Sequence, residues 1–230
     1  MRLSDEKELW EKFWTDETQD KIKQGIRDNV KRFNVRFGIF SEKEYLKKIF
    51  QGEEIFCRTI LEGLVSFVDD FSKAFLILWD IHGTLGYLPT RGSEGEEVFH
   101  LRESLILLLQ FIKKTFPHVV YGVISDEAYR NIKAYFSSEK VLLSVAPYFS
   151  SQKVYSVNIV DVLDTFKRLG FSEEDCQKIN RADFLGNKKR VIQHLREKQK
   201  VFLIDDFDLG QEKEGCGVKI VTFGLRAYLL

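Results

Sequence analysis

The sequence has little proline and little cysteine, and it carries no excess charge. Three prolines in 230 residues leave no proline-rich linker, and no low-complexity tract or internal repeat divides the chain. The three cysteines, Cys57, Cys176 and Cys216, are far apart and form no Cys-x-x-Cys pair. This spacing is typical of free thiols in a reducing compartment and gives no zinc-ligand pattern.

The charges of the sequence are balanced, because Lys plus Arg equals Asp plus Glu at 35 each. A generic binder of nucleic acid or of an anionic membrane needs a basic surface, so we expect neither partner. The apolar runs are shorter than the ~20 residues that span a bilayer. The charged segment Met1–Glu11 has no apolar signal-peptide core. We therefore expect a soluble cytoplasmic protein.

Apolar residues make up 44% of the chain, which is enough for a substantial core. Residues 1–72 have helical periodicity throughout. A capping-box pattern from Ser41 to Glu44 predicts a short helix that continues to Phe50, and Ile60–Phe67 continues a third or a fourth helix. We expect 1–72 to form an all-helical N-terminal extension and a possible surface for a protein partner.

From residue 73 onwards, short apolar runs alternate with helical stretches. The predicted strands are Ala74–Trp79, Val119–Ile124, Val201–Ile204 and Val218–Thr222. The predicted helices are Leu101–Lys114, Glu127–Phe136, Ile159–Leu169 and Asn187–Lys198. Strands that are apolar on both faces and alternate with helices indicate a parallel sheet covered on both sides. We predict an α/β domain over 73–230, with a Rossmann-like, mostly parallel, three-layer sheet.

Two segments of this domain leave alternatives open. Residues 137–182 contain one clear helix, and they form either a small cap insertion or the completion of the sheet. The polar segment Tyr87–His100 is long enough for a flap but too short for a domain.

Polar side chains follow three of the predicted strands, at the point where each strand ends. They are Asp80, Ser125, Asp205 and Asp206, joined by Lys188 and Lys189 at the start of the helix that precedes the third of these strands. Because the carboxyl ends of parallel strands meet at one edge of a sheet, we expect these side chains to converge there.

This set of side chains has a chemical logic. A carboxylate can attack phosphorus and form an aspartyl-phosphate. Clustered carboxylates repel one another unless a hard cation joins them, and Mg²⁺ prefers such oxygen ligands. A lysine, a serine and backbone amides can neutralise the remaining phosphoryl charge. Gly83 allows the sharp turn after Asp80 that would bring such amides to the phosphate.

Four segments resemble the haloacid dehalogenase-like (HAD) superfamily over roughly residues 74–224. They are Asp80-Ile81-His82-Gly83-Thr84-Leu85, Ser125, the helix start at Lys188 and Lys189, and Phe202-Leu203-Ile204-Asp205-Asp206. They occur in the order that the family has. Each segment alone is a weak signal, and the combination is more specific.

The resemblance implies a role for each matching residue. Asp80 would be the nucleophile and a metal ligand, and Asp205 and Asp206 would hold Mg²⁺. Ser125 would bind the phosphoryl oxygens, and Thr84 would stabilise the loop that holds the phosphate.

The family's active-site lysine corresponds to Lys188 or Lys189, and Lys188 fits the spacing of the following apolar residues better. This lysine would pair with the phosphate and with Asp80. The implied substrate is a phosphorylated small molecule or a phosphoprotein.

The sequence departs from the family at His82. Phosphatases of the family usually carry an aspartate two residues after the nucleophile, and it acts as acid and base. Imidazole titrates near neutral pH, so His82 either takes over that catalytic role or leaves a slow or inactive protein that acts as a binding module. A third reading, an enzyme that processes nucleic-acid ends, gains no support from a net charge of zero.

Overall fold

The computed structural model describes residues 6–32, 41–70, 72–87, 100–137 and 145–220 of the chain. Most of the predicted flap, residues 88–99, lies outside these ranges. So do Val221 and Thr222, at the end of the last predicted strand.

Five parallel strands form the central sheet, in the spatial order β5-β4-β1-β6-β7. Their bounds are β1 Phe75–Trp79, β4 Val119–Ser125, β5 Phe149–Ser156, β6 Val201–Asp205 and β7 Gly217–Lys219. A separate antiparallel pair consists of β2 (Gly86–Tyr87) and β3 (His100–Leu101). The prediction of an α/β fold with a mostly parallel sheet is confirmed.

Eight helices are present in the described residues. They are α1 Glu6–Phe13, α2 Asp16–Arg32, α3 Glu42–Phe67, α4 Leu105–Thr115, α5 Tyr129–Ser137, α6 Val162–Leu169, α7 Glu173–Gln177 and α8 Phe184–Arg196. None of the helices in these ranges is both long and apolar enough to cross a membrane.

The N-terminal end of α3 has the capping box that the sequence predicts. The Glu44 amide donates a hydrogen bond to Ser41 Oγ, and the Glu44 carboxylate accepts one from the Ser41 amide. The helix is longer than the short one predicted, because α3 continues unbroken for 26 residues and includes Ile60–Phe67, which the sequence assigns to either a third or a fourth helix. Gly52 lies buried inside α3 and does not end it, since packing compensates for its poor helix propensity.

Successive side chains of β1 point to opposite faces of the sheet, as the strand period requires. Phe75, Ile77 and Trp79 belong to a cluster that also contains buried residues of α1, α3 and α4. Leu76 and Leu78 belong to a second cluster, with buried residues of α6 and α8. Helices therefore cover both faces, and residues of α1 and α3 contribute to one of these layers.

The segment 137–182 supplies one strand of the sheet. Within its described residues, Phe149–Ser156 forms β5, which pairs with β4 at the edge of the sheet. The helices α6 and α7 follow β5 along the chain. Residues 149–156 therefore complete the sheet.

The strand order places β1 at the centre, between β4 and β6. From β1 the chain builds β4 and β5 on one side, and it then returns to build β6 and β7 on the other. The crevice beyond the carboxyl ends of β1 and β6 is therefore the switch point of the sheet, where open α/β folds bind ligands.

Candidate functional site at the switch point

Asp80 and Asp205 share the ammonium group of Lys188. Lys188 Nζ lies 2.7 Å from Asp80 Oδ1 and 2.6 Å from Asp205 Oδ2. The side chains of Lys188 and Asp80 are 4% and 5% exposed, and that of Asp205 is fully buried. Removing charges from water costs free energy, and such clusters concentrate at functional sites.

The sheet and α8 bring these three residues together. The Asp80 amide donates to Ile204 O at 2.9 Å, so Asp80 extends the pairing between β1 and β6. Asp205 is the last residue of β6. Asp183 caps α8 by accepting a hydrogen bond from the Gly186 amide at 2.9 Å. The second turn of this helix then directs Lys188 into the site.

The structure distinguishes the two candidate lysines. Lys188 is buried and contacts both carboxylates, whereas the Lys189 side chain lies on the exposed surface of α8. Neighbouring positions on a helix point about 100° apart, so only one of the two can face the sheet.

A cluster of three carboxylates surrounds the switch point. Asp80, Asp205 and Asp206 each offer an oxygen, and these atoms lie within 4.8 Å of one another. Asp206 Oδ1 is buried without a hydrogen-bond partner in the part of the chain that the structure describes. With Lys188, the cluster carries two net negative charges when all four groups are ionised. These oxygen donors and this charge fit Mg²⁺.

Burial and neighbouring charges shift the pKa values of Asp80, Asp206 and Lys188. Burial raises the pKa of Asp80 to about 7 against the opposing charge of Lys188, and the charge of Asp205 adds to the rise. Burial and the charge of Asp205 also raise the pKa of Asp206. Burial alone would lower the pKa of Lys188, but Asp80 and Asp205 raise it above its usual value. The lysine therefore stays charged, and Asp80 and Asp206 need further positive charge nearby to be fully ionised.

A tight loop follows Asp80. Gly83 has a φ of 78°, a left-handed conformation that favours glycine. The Leu85 amide donates to Asp80 O at 3.3 Å, and the Gly86 amide donates to Ile81 O at 3.2 Å. These bonds return the chain towards β1 and keep the loop beside the acidic cluster.

Thr84, predicted to stabilise this loop, is fully buried. Its hydroxyl has no hydrogen-bond partner among the described residues. Thr84 therefore lies inside the loop, and its hydroxyl makes no hydrogen bond to the acidic cluster among the described residues.

Ser125 ends β4, two residues beyond Val123, which pairs with Trp79 of β1. Its hydroxyl is buried and accepts a hydrogen bond from the Glu127 amide at 3.2 Å. Ser125 therefore lies at the same edge of the sheet as Asp80, where its hydroxyl holds the turn after β4.

His82 points towards Glu127, a residue that the sequence did not single out. His82 Nε2 lies 3.0 Å from Glu127 Oε1, and each side chain is 22% exposed. The sequence predicts Glu127 as the first residue of a helix, but α5 begins only at Tyr129. The one feature of the sequence that could have identified Glu127 as a site residue is its position two residues after Ser125, at the end of a predicted strand.

The structure thus brings Asp80, Lys188, Asp205 and Asp206 into one cluster and leaves Lys189 outside it. No protein-family model matches the sequence, and no curated protein or solved structure matches the chain. We therefore base the proposed function on the geometry of the site.

Proposed function

We propose that the protein is a Mg²⁺-dependent phosphatase or phosphotransferase that acts through an aspartyl-phosphate on Asp80. The observation that carries this proposal is the buried contact of Lys188 with both Asp80 and Asp205, beside Asp206. We also propose that the chain is a divergent member of the HAD superfamily with a helical N-terminal extension. The strand order and the motif residues at the carboxyl ends of β1, β4 and β6 support this assignment.

The reaction would use Asp80 as the nucleophile. An oxygen of the Asp80 carboxylate attacks phosphorus, and the bond from phosphorus to the leaving oxygen breaks as the new bond forms. Water, or an acceptor hydroxyl, then attacks the phosphorus of the acyl phosphate, and the carboxylate is released. Asp80, Asp205 and Asp206 would hold Mg²⁺, which supplies positive charge to the phosphoryl oxygens when it is bound.

The remaining residues would bind and orient the phosphate. Lys188 offsets the charge that the phosphoryl group brings to Asp80. The Ser125 hydroxyl would supply a hydrogen-bond donor, and so would amides of the loop other than those of Gly83, Leu85 and Gly86, which donate within the loop. His82, oriented by Glu127, would give a proton to the leaving oxygen and accept one from the attacking water.

The first test is phosphate release from p-nitrophenyl phosphate, with Mg²⁺ and with excess chelator. We expect release to require Mg²⁺ and to fall at least about 10³-fold in Asp80→Asn, because this substitution removes the nucleophile. Asp175→Asn, on the exposed α7, is the control and should keep full activity. Phosphate release that survives Asp80→Asn would exclude the proposed mechanism.

Thermal unfolding with added Mg²⁺ tests the metal independently of turnover. A ligand that binds only the folded state at 100 times its Kd stabilises it by about 2.7 kcal/mol. We expect Mg²⁺ to raise the Tm, and we expect Asp206→Asn to reduce that rise. Asp164→Asn, exposed on α6, is the control, and it should respond to Mg²⁺ as the unmodified protein does. Equal shifts in the two variants would contradict the metal assignment.

A second candidate function is a HAD-fold protein with little turnover that acts as a binding module, with residues 1–72 as a possible surface for a protein partner. The presence of His82 where the family's acid–base aspartate usually stands favours this alternative. The discriminating variant is His82→Asp. A large gain in phosphate release would favour a weakened site, and a loss would show that His82 takes part in the reaction.

The substrate under either proposal carries a phosphoryl group on a small molecule or a protein. We propose a cytoplasmic location, which fits three cysteines that lack a pairing pattern. We expect neither nucleic acid nor a membrane as partner, because the net charge is zero.

A further inference from the structure

Arg102 binds three consecutive carbonyl oxygens of the loop that follows Asp80. Its Nη2 donates to Gly83 O at 3.0 Å, and its Nε donates to Thr84 O at 3.0 Å. Its backbone amide donates to Leu85 O at 3.1 Å. The fork of guanidinium donors matches the two adjacent carbonyls of Gly83 and Thr84, which a lysine ammonium cannot do.

Glu53 of α3 completes the environment of this guanidinium. Arg102 Nη1 lies 3.2 Å from Glu53 Oε1, and both side chains are fully buried. The other oxygen, Glu53 Oε2, accepts hydrogen bonds from the amide and the hydroxyl of Ser104. The Phe56 ring lies 4.2 Å from the guanidinium carbon. Three acceptors and one aromatic face therefore surround the buried guanidinium.

The neighbouring residue extends this connection to α2. Asn29 Nδ2 donates to Glu103 Oε1 at 3.0 Å. The tripeptide Arg102-Glu103-Ser104 thus contacts α2 through Glu103, α3 through Arg102 and Ser104, and the Asp80 loop through Arg102. Two N-terminal helices are linked to the loop beside the acidic cluster by hydrogen bonds that are largely buried.

We propose that Glu53 and Arg102 are positioning residues, which hold the loop Ile81–Leu85 in the conformation that the reaction at Asp80 requires. This inference rests on the proposed function, and it explains a buried ion pair that the phosphate chemistry itself does not use. A buried pair seldom increases stability over an apolar pair of similar volume. Fixing the Gly83 and Thr84 carbonyls of one loop gives the pair a role that apolar side chains could not fill.

The test separates positioning from stability with three variants of the buried pair and one control. Arg102→Lys keeps the charge but loses the fork of donors. Glu53→Leu with Arg102→Met replaces the buried pair by apolar side chains, so its stability should exceed that of Arg102→Met alone. The control, Glu54→Leu with Arg58→Met, makes the same exchange at a partly exposed ion pair of 3.4 Å on α3.

Two readouts are needed. The first is kcat for p-nitrophenyl phosphate with Mg²⁺, per folded molecule. The second is hydrogen exchange in the peptide that covers residues 80–87, compared with exchange in β6. Loosened positioning of a reacting group can cost about 100-fold in rate, so we expect this loss in Arg102→Lys and in the buried double variant. Exchange should rise in 80–87 and stay unchanged in β6, and the control should match the unmodified protein.

The experiment distinguishes failure of the positioning role from failure of the proposed phosphatase function. Recovery of kcat together with stability in the buried double variant would overturn the positioning role, since activity would then follow stability. Unchanged exchange at 80–87 in Arg102→Lys would overturn it as well. If the unmodified protein releases no phosphate, the proposed function fails, while hydrogen exchange still decides whether Arg102 holds the loop.

Discussion

His82 Nε2 lies 3.0 Å from Glu127 Oε1, and this contact joins the loop after β1 to the turn after β4. Glu127 is itself fixed by its neighbours. Its Oε2 accepts a hydrogen bond from Asn131 Nδ2 at 2.8 Å, and its amide donates to Ser125 Oγ at 3.2 Å. The imidazole is therefore held by a carboxylate that has little freedom to move.

If Glu127 acts through His82, substitutions of the two residues will not be independent. We expect Glu127→Gln and His82→Gln each to lower kcat by about 10²-fold or less, with KM nearly unchanged, because the affected step is proton transfer. The double variant should be no slower than His82→Gln alone. Steady-state kinetics on p-nitrophenyl phosphate measures this, and losses that multiply in the double variant would show that the residues act separately.

Replacing Lys188 removes the ammonium between two buried carboxylates. We expect Lys188→Met to lower the free energy of unfolding by about 3–5 kcal/mol in the absence of Mg²⁺, because Asp80 and Asp205 would be left uncompensated. The matched control is Lys189→Met, on the exposed side of the same helix, which should change it by less than about 0.5 kcal/mol. Urea unfolding compares the two, and equal stabilities would contradict the buried triad.

The stability of the protein should decrease as the pH rises, because Glu103 titrates. Burial, and then the charge of Glu53, raise the pKa of Glu103 from its usual 4.5 to about 7. Between these two pH values the folded protein holds a proton that the unfolded chain has released. The contribution of Glu103 is therefore fully present below about pH 4.5 and is lost as the pH rises to about 7.

Glu103→Gln keeps an acceptor for Asn29 and removes this titration. Urea unfolding of both proteins at a series of pH values from 4.5 to 8 isolates the contribution of Glu103. We expect the unmodified protein to lose on the order of 1 kcal/mol more than the variant across this range. Parallel profiles for the two proteins would mean that Glu103 titrates alike in the folded and unfolded chains.

The packing of α3 on the sheet can be tested at Gly63. A Cβ atom at this position would lie 2.4 Å from Val218 Cγ1 and 3.0 Å from the Phe202 ring. We therefore expect Gly63→Ala to destabilise the protein by about 1–3 kcal/mol, because the helix must move away from β6 and β7.

Gly25 of α2 is the matched control. The nearest atom to a Cβ at this position is Glu103 Cγ at 3.5 Å, an ordinary contact. We expect Gly25→Ala to stabilise the protein by about 0.5–1 kcal/mol, because alanine is the better helix former. Thermal unfolding measures both changes, and a neutral Gly63→Ala would contradict the close packing of α3.

The central strands could be predicted from the sequence because they are buried on both faces. The run Phe75–Trp79 is entirely apolar and Asp80 follows it. The run Val201–Asp205 is apolar until Asp205, its last residue. The strand Phe149–Ser156 was not predicted, since its sequence is largely polar and has no clear alternation. It lies at the edge of the sheet, where no further strand of the described residues pairs with it and polar residues are tolerated.

The site could be predicted only where its residues follow strands. Asp80, Asp205 and Asp206 are adjacent to apolar runs, and the strand-end rule brings them together. Arg102 and Glu53 carry no such signal, because they lie 49 residues apart and neither is next to a strand of the central sheet. Their pairing depends on how α3 lies against the sheet, which local sequence patterns do not encode.

The position of β1 between β4 and β6 also sets an order of events during synthesis. Asp80 leaves the ribosome 108 residues before Lys188, and both precede Asp205. A nascent chain that ends before β6 already contains Lys188, but it lacks Asp205, Asp206 and the strand that pairs with β1 beside Asp80. The carboxylate cluster around Asp80 therefore stays incomplete until β6 pairs with β1, so the proposed reactivity at Asp80 would appear only after β6 has joined the sheet.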